Sequence, residues 1–272
     1  LLFISPGLAI GSHRLPADHP HFESYGPASS FLFVFPRNST LIERDGETVV
    51  GSPAISLLYN RGQEYRRGKI SEEGDHCDWF AVDPDLLREL VAAHDPRAAD
   101  SDRPLRNAFV PVDPAIYLRQ RQVLEHVSSS ATPDSLFVEE TMLGVFARLI
   151  ARGATRPCPE AVPGGGEHVQ RACAVLSATF TRNWSLARIA RESGISPFHL
   201  ARSFKRAMGV SMHQHRLTLR LHASLEKLRE PKRDLSAVAH ELGFADHSHF
   251  TAAFRRRFGV TPSRYRSAAR FS

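Results

Sequence analysis

Two stretches near the C-terminus place cations, hydroxyls and aromatic rings at intervals of three and four residues, the spacing of one helix face. In Pro197 to Met208, one stripe holds Phe198, Ala201, Arg202 and Lys205, and the other holds Leu200, Phe204, Ala207 and Met208. In the second stretch His247, Ser248, Thr251, Ala252 and Arg255 face one way, while Phe250, Ala253, Phe254 and Phe258 face the other. Such an outward face can recognise double-stranded DNA. A guanidinium gives two parallel hydrogen bonds to the O6 and N7 of guanine, hydroxyls and imidazoles bond base edges, and a small methyl touches the thymine methyl. The flexible ammonium of Lys205 suits a phosphate instead. The same residues could also be an ordinary solvent face on a basic bundle. The aromatic ring of Phe198 on the outward stripe argues for a partner.

A second constellation suggests metal chemistry. His19-Pro20-His21, followed by Glu23, has two imidazoles at i and i+2, which share one face of a strand. Two histidines and a carboxylate could hold Fe(II), with Cys77, beside His76, as an extra ligand. Against this, Pro20 interrupts a strand and Glu23 follows too closely. Surface-loop histidines and a buried thiol are the plainer reading, so His19, His21 and Cys77 are weak metal candidates and no cofactor is expected. Nucleophilic triads, Gly-rich phosphate loops and zinc-peptidase motifs are absent, which argues against an enzyme.

The elements that must carry the outward faces lie in the only strongly basic part of the chain. The formal charge of +6 over 272 residues is moderate. From His168 to Ser272, however, there are 19 Lys and Arg against 6 Asp and Glu, whereas the rest carries 16 against 23. A basic region joined to an acidic one points to a polyanion for the first alone. That basic region contains an internal repeat. Leu186, Ile189, Ala190 and Gly194 recur 49 positions later as Leu235, Val238, Ala239 and Gly243. Leu200, Phe204 and Gly209-Val210-Ser211 recur 50 positions later as Phe250, Phe254 and Gly259-Val260-Thr261. The change in offset places one extra residue in the second turn. Each copy is an apolar-periodic helix, a glycine, a short turn and a second amphipathic helix, which is the helix-turn-helix layout.

Gly153 to Glu167, with three prolines and the Gly164–Gly166 run, predicts a flexible joint with neither helix nor strand. The expected division is therefore 1–152, a linker over 153–167, and 168–272. Before the joint, strands are predicted at Ser30–Phe35, on both sides of the Asp45-Gly46 hairpin turn within Thr40–Val50, at Ala54–Tyr59 and at Asp78–Val82, an arrangement that suits a small barrel or jelly roll. From Pro84 the pattern turns helical, with helices predicted at Pro114–Val127 and Leu136–Ile150. The broad apolar face of the latter, including Leu143, must pack on the barrel or on a second subunit, and the homodimer is the favoured expectation. Cys77, Cys158 and Cys173 form no CxxC and cannot all pair, which fits a reducing cytoplasm. No apolar run approaches membrane length; Leu1–Ile4 is too short and lacks a basic flank. The first residue is not Met, so trimming or processing of a longer product is expected.

The stretches SLARIARESGISPFHLARSFKRAMGVS and LSAVAHELGFADHSHFTAAFRRRFGVTPSRYR resemble the DNA-binding domain of the AraC/XylS family of bacterial regulators over about Val169 to Arg266. The signature lies in Gly243-Phe244, Phe250, Phe254, Gly259, Thr261-Pro262 and Tyr265-Arg266. The resemblance implies two helix-turn-helix modules joined by a long helix, at about Met212 to Arg229, each recognition helix entering its own major groove. It places Phe198, Ala201, Arg202, His247, Ser248, Thr251 and Ala252 at base-contacting positions; alanine at 201 and 252 departs from the more polar members. More loosely, the N-terminal part resembles the family's cupin-like domain. That implies a small-molecule effector inside the barrel, a homodimer through the helices, transcription activation, and RNA polymerase as a further partner.

Overall fold

The computed structural model describes residues 1–20, 22–23, 26–70, 74–155, 165–230 and 233–268. The described residues hold ten strands in two sheets, nine of them before the first helix. They are β1 (Phe3–Ile4), β2 (Leu8–Leu15), β3 (Gly26–Pro27), β4 (Phe31–Pro36), β5 (Thr40–Arg44), β6 (Glu47–Gly51), β7 (Ile55–Tyr59), β8 (Glu64–Gly68), β9 (Asp75–Val82) and β10 (Phe109–Pro111). One sheet runs β1-β2-β9-β4-β7-β10 and the other β3-β8-β5-β6, with all neighbouring strands antiparallel. The hairpin between β5 and β6 turns at Asp45 and Gly46, both at positive φ (49° and 78°), as a two-residue turn of this hand requires.

Alternation along the central strands sorts the large sheet into two faces. Ile10, Phe33, Phe35, Phe80 and Val82 belong to one core cluster, which extends into the helices. Val34, Leu57 and Cys77 look the other way, toward the small sheet, and line a cavity between the sheets. Gly11 is obligatory in β2 because a Cβ there would lie 2.2 Å from the Trp79 ring on the paired strand.

The helices α1 (Pro84–Ala92) and α2 (Pro96–Ala99) lie between β9 and β10, and α3 (Pro114–Ser129) and α4 (Ser135–Thr155) follow β10. α4 buries Val138, Met142, Val145, Phe146 and Leu149, and the Phe146 ring stacks on Phe33 at 4.4 Å. The expected intersubunit face of this helix is therefore corrected. Its apolar stripe covers the aromatic outer face of the large sheet, which would otherwise stand in water. Leu143 is only half-buried beside that stripe, and Leu136 and Phe137 at the first turn are exposed.

The expected joint at 153–167 is narrower than its composition suggests. α4 runs on through Thr155, and α5 (Gly165–Thr179) starts at Gly165, so 156–164 separate them and lie outside the described residues. Glycine at the first positions of a helix costs little, because those N–H groups have no intrahelical partner in any case. Then come α6 (Leu186–Ser193), α7 (Pro197–Met208), α8 (Met212–Arg229), α9 (Leu235–Glu241), α10 (His247–Phe258) and α11 (Pro262–Ala268). The repeat extends to the caps. Ser185 and Ser196 cap α6 and α7, and Asp234 and Asp246, at offsets of 49 and 50, cap α9 and α10. Gly243 has φ 80°, and a Cβ there would meet the Thr181 carbonyl oxygen at 2.0 Å, so this turn accepts glycine alone.

The strand-bearing and helical parts are packed together. Gln170 on α5 accepts from the Val50 amide on edge strand β6 (2.9 Å), closing one exposed backbone group. α10 packs on α3, and its Phe250, Phe254 and Phe258 join the cluster that contains Phe33 and Phe80.

Candidate nucleic-acid interface and ligand cavity

The outward face of α7 is built by burying the opposite side. Leu200, Phe204 and Met208 pack inward against α5, α6 and α8. That leaves Phe198, Arg202 and Lys205 in solvent and Ala201 half-buried. Among the described residues Phe198, 71% exposed, is more exposed than any other large hydrophobic residue except Leu1. Among the described residues, Arg202 and Lys205 make no ion pair and no side-chain hydrogen bond. Arg202 makes no ion pair with Glu192 on the preceding helix, a contact that would give the arginine a structural role, and its guanidinium is available to a partner.

On α10 the inward residues are Phe250, Ala253, Phe254 and Phe258. His247, Ser248, Ala252 and Arg255 are exposed and Thr251 is half-buried, its hydroxyl 3.4 Å from His247 Nε2. All nine candidate contact residues thus lie on the outward faces of two helices that occupy equivalent places in the two copies.

α8 fixes the two copies relative to one another, and a residue that sequence reasoning passed over does much of this. Arg220 on α8 donates from Nε to the Phe180 carbonyl (2.6 Å) and from Nη1 to the Gly243 carbonyl in the second turn (2.8 Å). Its Nη2 donates to the Arg182 carbonyl and to Asn183 Oδ1. Burial and the neighbouring Arg216 pull its pKa down to about 10, still charged at neutral pH. Two histidines on the same helix are buried neutral. His215 sits edge-on to Phe204 of the first copy, and burial pushes its pKa down to about 4. His222 stacks on Tyr117 of α3 at 4.0 Å and on Phe258 of the second copy. Burial and nearby Arg257 push its pKa down to about 3, so its Nδ1–H donates to the Pro53 carbonyl at 2.7 Å.

A cavity of about 370 Å³ lies between the two sheets. Its polar lining includes His13, Tyr65, Arg67, Asp75 and Cys77, and Trp79 forms part of the wall. Arg67 is held by Asp75 (2.8 Å) and by the Tyr65 hydroxyl (3.2 Å). His13 Nε2 is buried without a hydrogen-bond partner, and burial, then Arg67, lower its pKa. Burial raises the Cys77 thiol well above its ordinary value, which makes it a poor thiolate ligand. Of the metal candidates, Cys77 lines this cavity. His19 lies in a turn rather than on a strand, as Pro20 without an N–H would dictate, and His21 lies outside the described residues. Among the described residues no three His, Cys, Asp or Glu side chains come together as a metal site, and no helix is long and apolar enough to cross a membrane.

Strand β9 connects this cavity to α8. Cys77 points into the cavity, and the next residue, Asp78, points the opposite way and is fully buried. Arg37 Nε donates to Asp78 Oδ2 at 2.7 Å, and Arg121 of α3 lies 3.6 Å from the same oxygen. Both arginines also reach Glu226 on α8, Arg121 at 3.2 Å and Arg37 at 3.9 Å.

Comparison with known proteins agrees with the geometry of the C-terminal region. Residues 189–268 match the family model described as a helix-turn-helix domain. The bifunctional transcriptional activator/DNA repair enzyme AdaA of Bacillus subtilis is 26% identical over 124 residues, 44% of this chain and 59% of that one. The virulence regulon transcriptional activator VirF of Yersinia enterocolitica is 29% identical over 102 residues, 38% of each chain. The chain thus spans less than two thirds of the length of either relative. A crystal structure of a transcriptional regulator from Chromobacterium violaceum, described as containing an AraC-type DNA-binding domain, is 25% identical, covers 39% of this chain and 96% of its own, and superimposes with a TM-score of 0.37. Residues 189–268 of this chain are a helix-turn-helix domain.

Proposed function

We propose that this chain is a ligand-responsive, sequence-specific DNA-binding transcription regulator, acting as an activator, and not an enzyme. The observation that carries this reading is the pair of equivalent recognition helices, each with a solvent-facing polar and cationic stripe, in the basic part of the chain. Phe198, Ala201, Arg202, His247, Ser248, Thr251 and Ala252 face the bases; Lys205 and Arg255 meet phosphate or base edges at the groove margin. With both helices engaged, the protein covers two successive major grooves, centred about 10 base pairs apart on one face of the duplex. Hydroxyl-radical footprinting on a bound promoter fragment tests this. Protection of two adjacent grooves per chain is expected, and protection of one groove only would refute it.

The effector is a small molecule seated between the sheets, where Arg67, His13 and the tyrosines give polar contacts and Trp79 an aromatic wall. A shift of β9 around that ligand moves Asp78 against Arg37 and Arg121, and through Glu226 displaces α8, the helix that spaces the two reading heads. Residues 1–152 form the effector unit and 168–272 the DNA-reading unit; the protein works in the cytoplasm as a homodimer and contacts RNA polymerase when activating. In the dimer the exposed Leu136 and Phe137 at the start of α4, rather than the buried stripe of that helix, supply apolar contact. Glu226→Gln should leave DNA binding intact and abolish its response to the effector.

A further inference from the structure

A second cavity, of about 380 Å³, lies where the two parts of the molecule meet. Its walls come from the segments around Ile55 and Val112, from the end of α4, and from α7, α8 and α10. Its polar lining is unbalanced. Among the described residues that line it, Arg152, Arg256 and Arg257 stand with one carboxylate, Asp113, which is 2.9 Å from Arg152 Nη1. Arg257 Nε is buried and has no hydrogen-bond partner, and Arg257 is held below the ordinary arginine value by burial and by the like charge of Arg152. His215, 2% exposed, also lines the cavity and has an unpartnered Nε2. Grouping guanidinium groups with too few carboxylates in a half-closed space is unfavourable, unless an anion completes the set. Planar guanidinium forks match the oxygens of carboxylates and phosphates. The remaining walls, including Ile55, Val112, Met208 and Leu221, are apolar.

We propose that this cleft binds a small organic dianion, a phosphate ester or a dicarboxylate with an apolar body. Its head lies among Arg152, Arg256 and Arg257, and its body lies against Met208 and Leu221. Such a ligand touches α4 on one side and α10 on the other, so it ties the second recognition helix to the strand-bearing part. The site is separate from the cavity between the sheets, and no role assigned above uses these three arginines.

Titration calorimetry of the full chain with phenyl phosphate, phthalate and benzyl alcohol tests the proposal. One of the two anions should bind saturably, once per chain, and the neutral alcohol should not; which anion binds identifies the head group. Arg256→Gln, at an exposed position that does not threaten folding, and Arg152→Gln should each weaken binding by about tenfold, the scale of one lost charge-assisted pair. Arg202→Gln on the DNA-facing stripe and Arg67→Gln in the other cavity should leave it unchanged. Absence of saturable binding by either anion would overturn the proposal. So would an equal loss with Arg202→Gln, which would show general attraction to the basic surface, or a loss with Arg67→Gln alone, which would place the ligand between the sheets.

Discussion

The two helix-turn-helix copies share a backbone plan and differ in what surrounds it. The first copy is held by α5 and α8, and its reading helix offers large side chains, Phe198, Arg202 and Lys205, to solvent. The second offers His247, Ser248, Thr251, Ala252 and Arg255, and its inner phenylalanines merge with the core beneath the helices that cover the large sheet. The two outward faces therefore differ in their side chains, an exposed phenyl ring on the first against hydroxyls and an imidazole on the second, and both copies rest on the strand-bearing part, the first through α5 on β6 and the second through α10 on α3. On the proposed function, a ligand in the strand-bearing part steers either copy through these contacts, because a domain that touched nothing else could not be steered.

Breaking the tie between the copies should have the largest effect. Arg220→Leu leaves the Phe180 and Gly243 carbonyls without their donor in a buried site, and each unmade buried bond costs about 1–3 kcal/mol. A loss of ~3 kcal/mol or more in chemical denaturation is expected, with DNA binding lost by both copies together. A change below about 1 kcal/mol would show that α8 spaces the copies without this residue.

Acid should act next, through one histidine beside each copy. His215 and His222 are held neutral in the folded chain, at about 4 and about 3, and return to the ordinary imidazole value on unfolding. As pH falls below about 6.5 the unfolded chain binds protons that the folded chain refuses, so stability declines until the folded values are reached. Each histidine contributes at most about 1.4 kcal/mol per pH unit in that window. His222→Gln should flatten the slope between pH 6.5 and 4, measured by urea midpoints, while His215 keeps the remainder. An unchanged slope in both single variants would mean that neither imidazole is buried neutral.

Smaller effects separate the reading heads. Arg202→Ala should cost ~1–3 kcal/mol on the preferred site and relax one base position, whereas Lys205→Ala should weaken all sequences alike and lower the salt slope by about one phosphate contact. Anisotropy titrations on specific and random duplexes at two salt concentrations distinguish them; equal loss on both duplexes for Arg202→Ala would remove it from base reading. Phe198→Ala should cost ~1 kcal/mol on the specific site alone, by loss of an apolar contact with a thymine methyl or sugar.

The two parts of the molecule were unequally legible in the sequence. The copies could be read because helix periodicity, cap residues and turn glycines are local signals, and repetition doubled each of them. The β5–β6 hairpin was legible for the same reason, through Asp45-Gly46. β2 was missed because polar residues break up its apolar run and Gly11 weakens the pattern; that glycine makes sense only once Trp79 lies across it. β8, with the sequence EYRRG, was missed because Arg67 turns toward a polar cavity instead of an apolar core. The apolar face of α4 was recognised, but periodicity cannot say which surface an apolar face meets. The contacts of Arg220 and His222 were hidden altogether, since the latter joins residues 169 positions apart.

The central claim, two reading heads on one duplex, is most directly tested by selecting bound sequences from random DNA with the full chain and with Arg202→Ala. The wild-type protein should enrich two blocks whose centres are about 10 base pairs apart, and the variant should lose a guanine preference in one block while keeping the other. Enrichment of a single block, or an unaltered pattern in the variant, would contradict it.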